Sequence, residues 1–187
     1  TFLDEALWSR AYENRSLTIG YKQTISQPYI VAKMTELLVS HTKSRGKVFK
    51  NILEIGSGCG YQSAVLSFFS EEVHAIERIK PLVQKSRENL SNLKINNVLV
   101  KHGDGYQDWE KEKKYDGIIC AAAPREYPND LISVLNNDAK LVIPVGGATQ
   151  KLNMITKIHQ DEIKEEEFDD VSFVPMLAGK SEDGNDV

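Results

Sequence analysis

The run Ile52-Leu53-Glu54-Ile55-Gly56-Ser57-Gly58-Cys59-Gly60 places a short apolar stretch ahead of three alternate glycines, and a helix-like spacing follows at 61–69. A strand, a glycine turn and a helix make the first half of a βαβ unit. Glycine tolerates the tight turn and lets a ligand approach backbone that a side chain would block. The next strand, 71–77, closes on Glu77, about 20 residues beyond the first glycine, where a carboxylate accepts hydrogen bonds from ribose hydroxyls and opposes a 2′-phosphate. The spacing is G-x-G-x-G. A dinucleotide fingerprint needs glycine where Tyr61 stands, and no Gly-Lys-Ser/Thr follows, so a P-loop is also excluded.

The alternation continues along the chain. A helix is predicted over 80–93, with Pro81 near its first turn, then strands over 97–104 and 115–123. A short helix over 128–135 and a strand over 139–146 follow. This rhythm predicts an α/β fold, a mostly parallel sheet with helices on both faces. Two further strands are expected within 152–159 and 162–177, at least one of them antiparallel, with a turn at 159–162. The acidic run Glu165, Glu166, Glu167, Asp169 and Asp170 reads as a solvated strand edge rather than a metal site. A chain of 187 residues with 41% hydrophobic and 27% charged content reads as one soluble domain.

Composition also narrows function. No apolar run approaches the ~18 residues of a membrane span, and the first fifteen residues are too charged for a signal peptide. A net charge of -4 with scattered lysines gives no attraction to nucleic acid. Cys59 and Cys120 lie in apolar segments and read as buried thiols of a reducing cytoplasm. His41, His74 and His159 have no ligand spacing, so no metal is expected; His102 reads as a packing or surface group. In an open α/β sheet the ligand lies outside the carboxyl ends of the strands, where Glu54, Glu77 and Asp104 converge. Three acids make a poor pyrophosphate site. They suit adenosine joined to a cationic group, as in S-adenosylmethionine.

At this point the chain resembles the protein-L-isoaspartate O-methyltransferases, which methylate isoaspartyl residues of damaged proteins. The likeness runs through FLDEALWSRAYENRSLTIGYKQTISQPYIVAKMTELL (2–38), ILEIGSGCGYQSAVLS (52–67), HGDGYQ (102–107), YDGIICAAAPREYP (115–128), LVIPVG (141–146) and FVPMLAG (173–179). It implies a Rossmann-like S-adenosylmethionine-dependent methyltransferase fold with an antiparallel C-terminal strand. The single domain, 1–187, would comprise a covering segment (1–45), a cofactor core (50–146) and C-terminal strands (147–187). The implied reaction moves a methyl group from S-adenosylmethionine to the free α-carboxyl group of L-isoaspartyl residues, leaving S-adenosylhomocysteine. A cytoplasmic monomer acting on isoaspartyl proteins and peptides is implied, with no nucleic acid or membrane partner.

The resemblance also distributes roles. Glu54, Gly56, Ser57, Gly58, Gly60, Glu77, Arg78, Asp104 and Gly105 would hold the cofactor, with Glu77 on the ribose and Asp104 and Gly105 near the adenine. Thr24, Ile25, Pro144, Val145 and Gly146 would face the substrate, with Ser26 as the active-site residue, and Gln150 matches a glutamine often found in the family. Ala121 stands where threonine or glycine is usual, and Asn137 and Asp138 where two glycines are frequent. Members also carry a helical lead-in ahead of the stretch matched here. A methyltransferase acting on a small molecule and a non-catalytic adenosylmethionine-binding module are the alternatives.

Ser26 itself admits three readings. It could cap or adjoin the helix opening at Pro28, orient a substrate carboxylate, or attack as a nucleophile. The last lacks a G-x-S-x-G elbow and a base. Methyl transfer to a carboxylate needs no base, because the attacking oxygen is already ionised at pH 7.

Overall fold

The computed structural model describes residues 1–40, 49–159 and 162–185. His41 and the middle of the expected turn at 159–162 lie outside them. A 3₁₀ turn, Glu5–Arg10, precedes strands β1 (Leu17–Gly20) and β2 (Gln23–Ile25), and helix α1 spans Pro28–Val39. Then come β3 (Phe49–Ile55), α2 (Tyr61–Leu66), β4 (Ser70–Glu77), α3 (Lys80–Asn92), β5 (Val98–His102) and β6 (Tyr115–Cys120). Helix α4 (Asn129–Ser133) leads to β7 (Leu135–Gly146), β8 (Gln150–Lys157) and β9 (Ile163–Val171).

Seven strands form one sheet in the order β5-β4-β3-β6-β7-β8-β9. Neighbours from β5 to β7 are parallel, and the β7/β8 and β8/β9 pairs are antiparallel. From β3 the chain adds strands toward β5, then returns to place β6 on the other side of β3. That reversal opens a crevice at the carboxyl ends of β3 and β6.

Both faces of the central strands are buried, so they read as continuous apolar runs. Ile52 and Ile119 pack with Met34 and Leu38 of α1. Their neighbours Leu53 and Ile118 face the opposite cluster, which holds Leu131 of α4. Each fully buried aliphatic side chain contributes about 1.5–3 kcal/mol. Lys140 of β7 donates to the Leu37 and Ser40 carbonyl oxygens, satisfying acceptors at the end of α1. The acidic run forms the exposed edge strand β9, with Asp170 held by Lys151 at 2.9 Å.

Three elements differ from the sequence expectation. Helix α2 stops at Leu66 because Ser67 and the next residues turn directly into β4, with the Ser67 hydroxyl donating to Ala64 O. Strand β7 starts at Leu135, not 139, and bulges before Lys140: Tyr115 pairs with Leu135 but Gly117 with Lys140. Asp138 in that bulge has φ of 62°, a left-handed value that glycine adopts without strain, which explains why glycine suits the position. The β1/β2 hairpin was not expected at all.

The β7/β8 turn is also tight. Gly146 has φ of 137°, and a Cβ there would overlap the Thr149 carbonyl oxygen. Gly146→Ala should therefore lose about 1–3 kcal/mol of stability, read as a lowered melting temperature. An unchanged melting temperature would contradict this account of the turn.

Candidate functional site

The glycine loop leaves β3 at the sheet reversal. Gly56 N–H donates to Ile76 O at 2.8 Å, and Ala121 N–H donates to Ile55 O at 2.8 Å, so the loop is fastened to both neighbouring strands. Gly56, Gly58 and Gly60 all have positive φ, 84°, 52° and 89°, which three L-side chains in succession would not hold. Glu77, at the end of β4, closes the loop from the other side. Gly58 N–H donates to its Oε2 and Ile79 N–H to its Oε1, each at 2.9 Å. Burial raises the Glu77 pKa, and these backbone donors and Arg78 oppose the rise.

A cleft opens beside this loop. Gly56, Gly58, Glu77, Arg78 and Gly105 line one side. Ile19, Gln23 and Thr24 of the hairpin and Val174–Leu177 line the other. A second hollow lies between Ser26, Gln27 and Ile30 on one wall and Asp170–Val174 on the other. A third joins Ser26 to Gly56, Ser57 and Gly58. Thr24 and Ala121 line all three. The three spaces therefore form a connected site, with Ser26 between the glycine loop and the outer hollow.

Ser26 is not the cap of α1. The cap is Gln27, with φ of -60° and ψ of 147° and no side-chain capping bond. The Gln27 carbonyl accepts from Ile30 and Val31, and Pro28 needs no partner because it has no N–H. Of the two local readings, Ser26 adjoins the cap and does not itself cap the helix.

Several other residues named from the sequence lie off these three spaces. Asp104 is 3% exposed and does not line the cleft. Its Oδ1 accepts from Tyr106 N–H, and its Oδ2 accepts from Gly179 N–H and the Gln107 amide. It builds the wall on which Gly105 sits. Glu54 is fully buried, bonded to the Ser63 hydroxyl of α2, and also off the cleft. Gly60 packs against Ser86 of α3, where a Cβ would come within 2.7 Å of Oγ. Pro144 and Val145 are held in the ladder with Leu152 and Lys151 and line none of the three spaces. Gly146 borders a further hollow with Pro124 and Tyr127, which shares Phe173 with the hollow beside Ser26 and Pro175, Met176 and Leu177 with the cleft. The wall facing Ser26 is made by 170–174.

Burial lifts Glu54 from 4.5 to about 7; the Ser63 hydroxyl lowers it and the Glu77 charge raises it further. A raised carboxyl pKa means that the folded protein holds a proton that the unfolded chain has released. This contribution to stability is complete below about 4.5 and is lost as pH rises through about 7. Glu54→Gln should flatten the pH dependence of melting temperature across that window; an identical profile in both proteins would count against it.

Sequence reasoning missed Ile19, Gln23 and the Val174–Leu177 wall. The alternation of buried Leu17 and Ile19 with exposed Thr18 and Gly20 was the available signal for the hairpin. For the wall it was Pro175 and Gly179, two breakers directly after a strand.

With this geometry in place, the profile of the protein-L-isoaspartate(D-aspartate) O-methyltransferase family matches residues 1–181. A protein-L-isoaspartate O-methyltransferase of Hahella chejuensis is 45% identical over 178 residues, covering 95% of this chain and 82% of its own. One from Aliivibrio fischeri is 48% identical over 179 residues, covering 96% and 83%. Among solved structures, a Plasmodium falciparum protein-L-isoaspartate O-methyltransferase in complex with S-adenosyl-L-homocysteine superposes with a TM-score of 0.76 at 30% identity, covering 94% of this chain and 84% of its own.

Proposed function

The chain belongs to the protein-L-isoaspartate(D-aspartate) O-methyltransferase family, and on that premise we propose how its residues divide the transfer of a methyl group from S-adenosylmethionine to the free α-carboxylate of an L-isoaspartyl residue. One observation carries the proposal: Ser26 and the glycine loop Gly56–Gly58 line one hollow, so a group held at the loop and a carboxylate held at Ser26 would be neighbours.

The residues present fit the cofactor. Glu77 lines the cleft, and each of its oxygens retains acceptor capacity beyond the one backbone donor described. Gly105 also lines the cleft, at a point where a Cβ would collide with Ile55 and crowd Met176. When bound, S-adenosylmethionine would supply a methyl carbon on a positively charged sulfur, for transfer to the carboxylate oxygen as the sulfur keeps the electron pair. Glu77 would accept from the ribose, and the loop backbone would hold the methionine part. Ser26 donates its hydroxyl hydrogen to the substrate carboxylate, fixing the line of attack. Thr24 and Ile25 shape the same wall, and Asp170–Val174 face it across the outer hollow. Ile19, Ile25, Val31 and Met34 line the hollow shared by Ser26 and the loop, and their apolar side chains would keep water from the reacting pair, strengthening the charge interactions there.

The same reading takes residues 1–187 as one working unit, with 1–45 covering the core 50–146 and 147–187 completing the sheet. It takes the protein as a cytoplasmic monomer without a nucleic acid partner, in keeping with the net charge of -4. Among the described residues, no helix is long and apolar enough to cross a membrane. Calorimetry with S-adenosylhomocysteine, NAD and ATP tests the cofactor assignment. Binding of S-adenosylhomocysteine alone is expected; tight NAD binding with no response to S-adenosylhomocysteine would overturn it.

A further inference from the structure

Gln150 opens β8, pairs with Gly146 on one side and Val171 on the other, and is 9% exposed. Strand β9 ends at Val171, so the ladder has no further backbone partner for Phe173. The Gln150 side chain supplies one. Phe173 N–H donates to Gln150 Oε1 at 2.7 Å, and Gln150 Nε2 donates to Phe173 O at 3.0 Å. A carboxamide carries one acceptor and one donor group in the arrangement of a peptide unit, so it extends the ladder by one step beyond the strand.

The chain then crosses to the end of β6. Ala123 N–H donates to Val174 O, and Met176 N–H donates to Ala123 O, each at 2.8 Å. Farther on, a different set of bonds takes over. Tyr106 Oη donates to Met176 O at 3.1 Å, and Gly179 N–H donates to Asp104 Oδ2 at 2.7 Å. The segment therefore has two sets of fastenings. Gln150 holds the part facing Ser26 across the outer hollow. Tyr106 and Asp104 hold the part that lines the cleft beside Glu77.

We propose that Gln150 is a positioning residue for the polypeptide substrate, setting the separation between the 170–174 wall and Ser26 without touching the reacting atoms. This rests on the functional reading above, which places the substrate carboxylate at Ser26, so that the peptide carrying it would occupy the outer hollow that Ser26 also lines. The consequence is a division of labour: loosening Gln150 should disturb peptide binding, while the cofactor cleft stays as its own fastenings leave it.

The test is steady-state methylation of an isoaspartyl peptide by wild type, Gln150→Ala and Gln150→Glu, with calorimetric affinity for S-adenosylhomocysteine measured in parallel below the melting transition. Losing two neutral hydrogen bonds predicts a rise in peptide KM of roughly tenfold or more in Gln150→Ala. Turnover at saturating peptide and S-adenosylhomocysteine affinity should stay near wild type. Gln150→Glu keeps the acceptor for Phe173 N–H and the side-chain shape, so it should fold even where the alanine variant does not. It turns an oxygen toward Phe173 O, and its peptide KM should rise as well. Wild-type peptide KM in either folded variant, or KM and S-adenosylhomocysteine affinity worsening in proportion, would overturn the positioning role alone. A wild-type protein that binds S-adenosylhomocysteine but leaves the isoaspartyl peptide unmethylated would instead overturn the functional reading, and this proposal with it.

Discussion

Ser26→Ala should lower methyl transfer by roughly two to three decades, the effect of removing one hydrogen-bond donor that matters mainly in the transition state. Its melting temperature and S-adenosylhomocysteine affinity should stay close to wild type. The stability half of this expectation follows from the structure, because the start of α1 is organised by the Gln27 carbonyl and Pro28. Were Ser26 a cap, its loss would instead cost about 1 kcal/mol of stability with little change in turnover. Ser26→Thr keeps the hydroxyl but adds a methyl in a hollow that already holds Ile25, Val31 and Met34, so its rate should fall between the two. A covalent role makes a separate forecast, a mass gain of one methyl on the peptide containing Ser26 during turnover. Full activity of Ser26→Ala with lowered stability would remove the orienting role.

Glu77→Ala should damage two properties together. The Gly58 and Ile79 N–H groups both donate to this carboxylate at 2.9 Å, and the residue is 5% exposed. Leaving two buried donors without an acceptor costs about 1–3 kcal/mol each, and the ribose acceptor is lost as well, worth about 1.5–3 kcal/mol for hydrogen bonds to a charged group. Part of the stability loss is offset, because burial already disfavours the charged form of Glu77. A net loss on the order of 2–4 kcal/mol in stability is therefore expected. The accompanying drop in S-adenosylhomocysteine affinity should be about ten- to a hundredfold. Glu77→Gln should not rescue both donors, since its amide nitrogen would meet one of them. Thermal melts and calorimetry on the same samples separate the effects. Unchanged affinity in a destabilised variant would move the ribose away from Glu77.

The parts legible in the sequence were those with local causes. Ile52-Leu53 and Ile118-Ile119 are buried on opposite faces of the sheet, so they appear as unbroken apolar runs bounded by glycine or charge. Glycine at 56 and 58 and glutamate at 77 announced one side of the cleft. The β1/β2 hairpin escaped because its turn uses Tyr21 and Lys22 at φ of 54° and 53°. Such a turn usually carries asparagine, aspartate or glycine. Asp104 and Glu54 were placed at the right ends of the right strands, but a strand pattern does not say which way an end residue's carboxylate turns. One turned to Gly179 and Tyr106, the other to Ser63. The wall opposite Ser26 depends on Gln150 with Phe173 and on Ala123 with Val174 and Met176. Those contacts join distant segments through side-chain and backbone groups that carry no periodic signal.

Family membership, the shared hollow of Ser26 and the glycine loop, and the cleft that Glu77 lines converge on one activity. Paired peptides that differ only in carrying L-isoaspartate or ordinary aspartate, incubated with methyl-labelled S-adenosylmethionine, read it directly as base-labile methyl ester. The extra methylene in the isoaspartyl backbone displaces the free α-carboxylate from the chain, so a narrow hollow between Ser26 and the 170–174 wall can admit it and exclude the normal linkage. Ester formed on the isoaspartyl peptide and absent from the aspartyl peptide is the expected result. Equal labelling of the two, or label found only on a small molecule or nucleic acid, would contradict it.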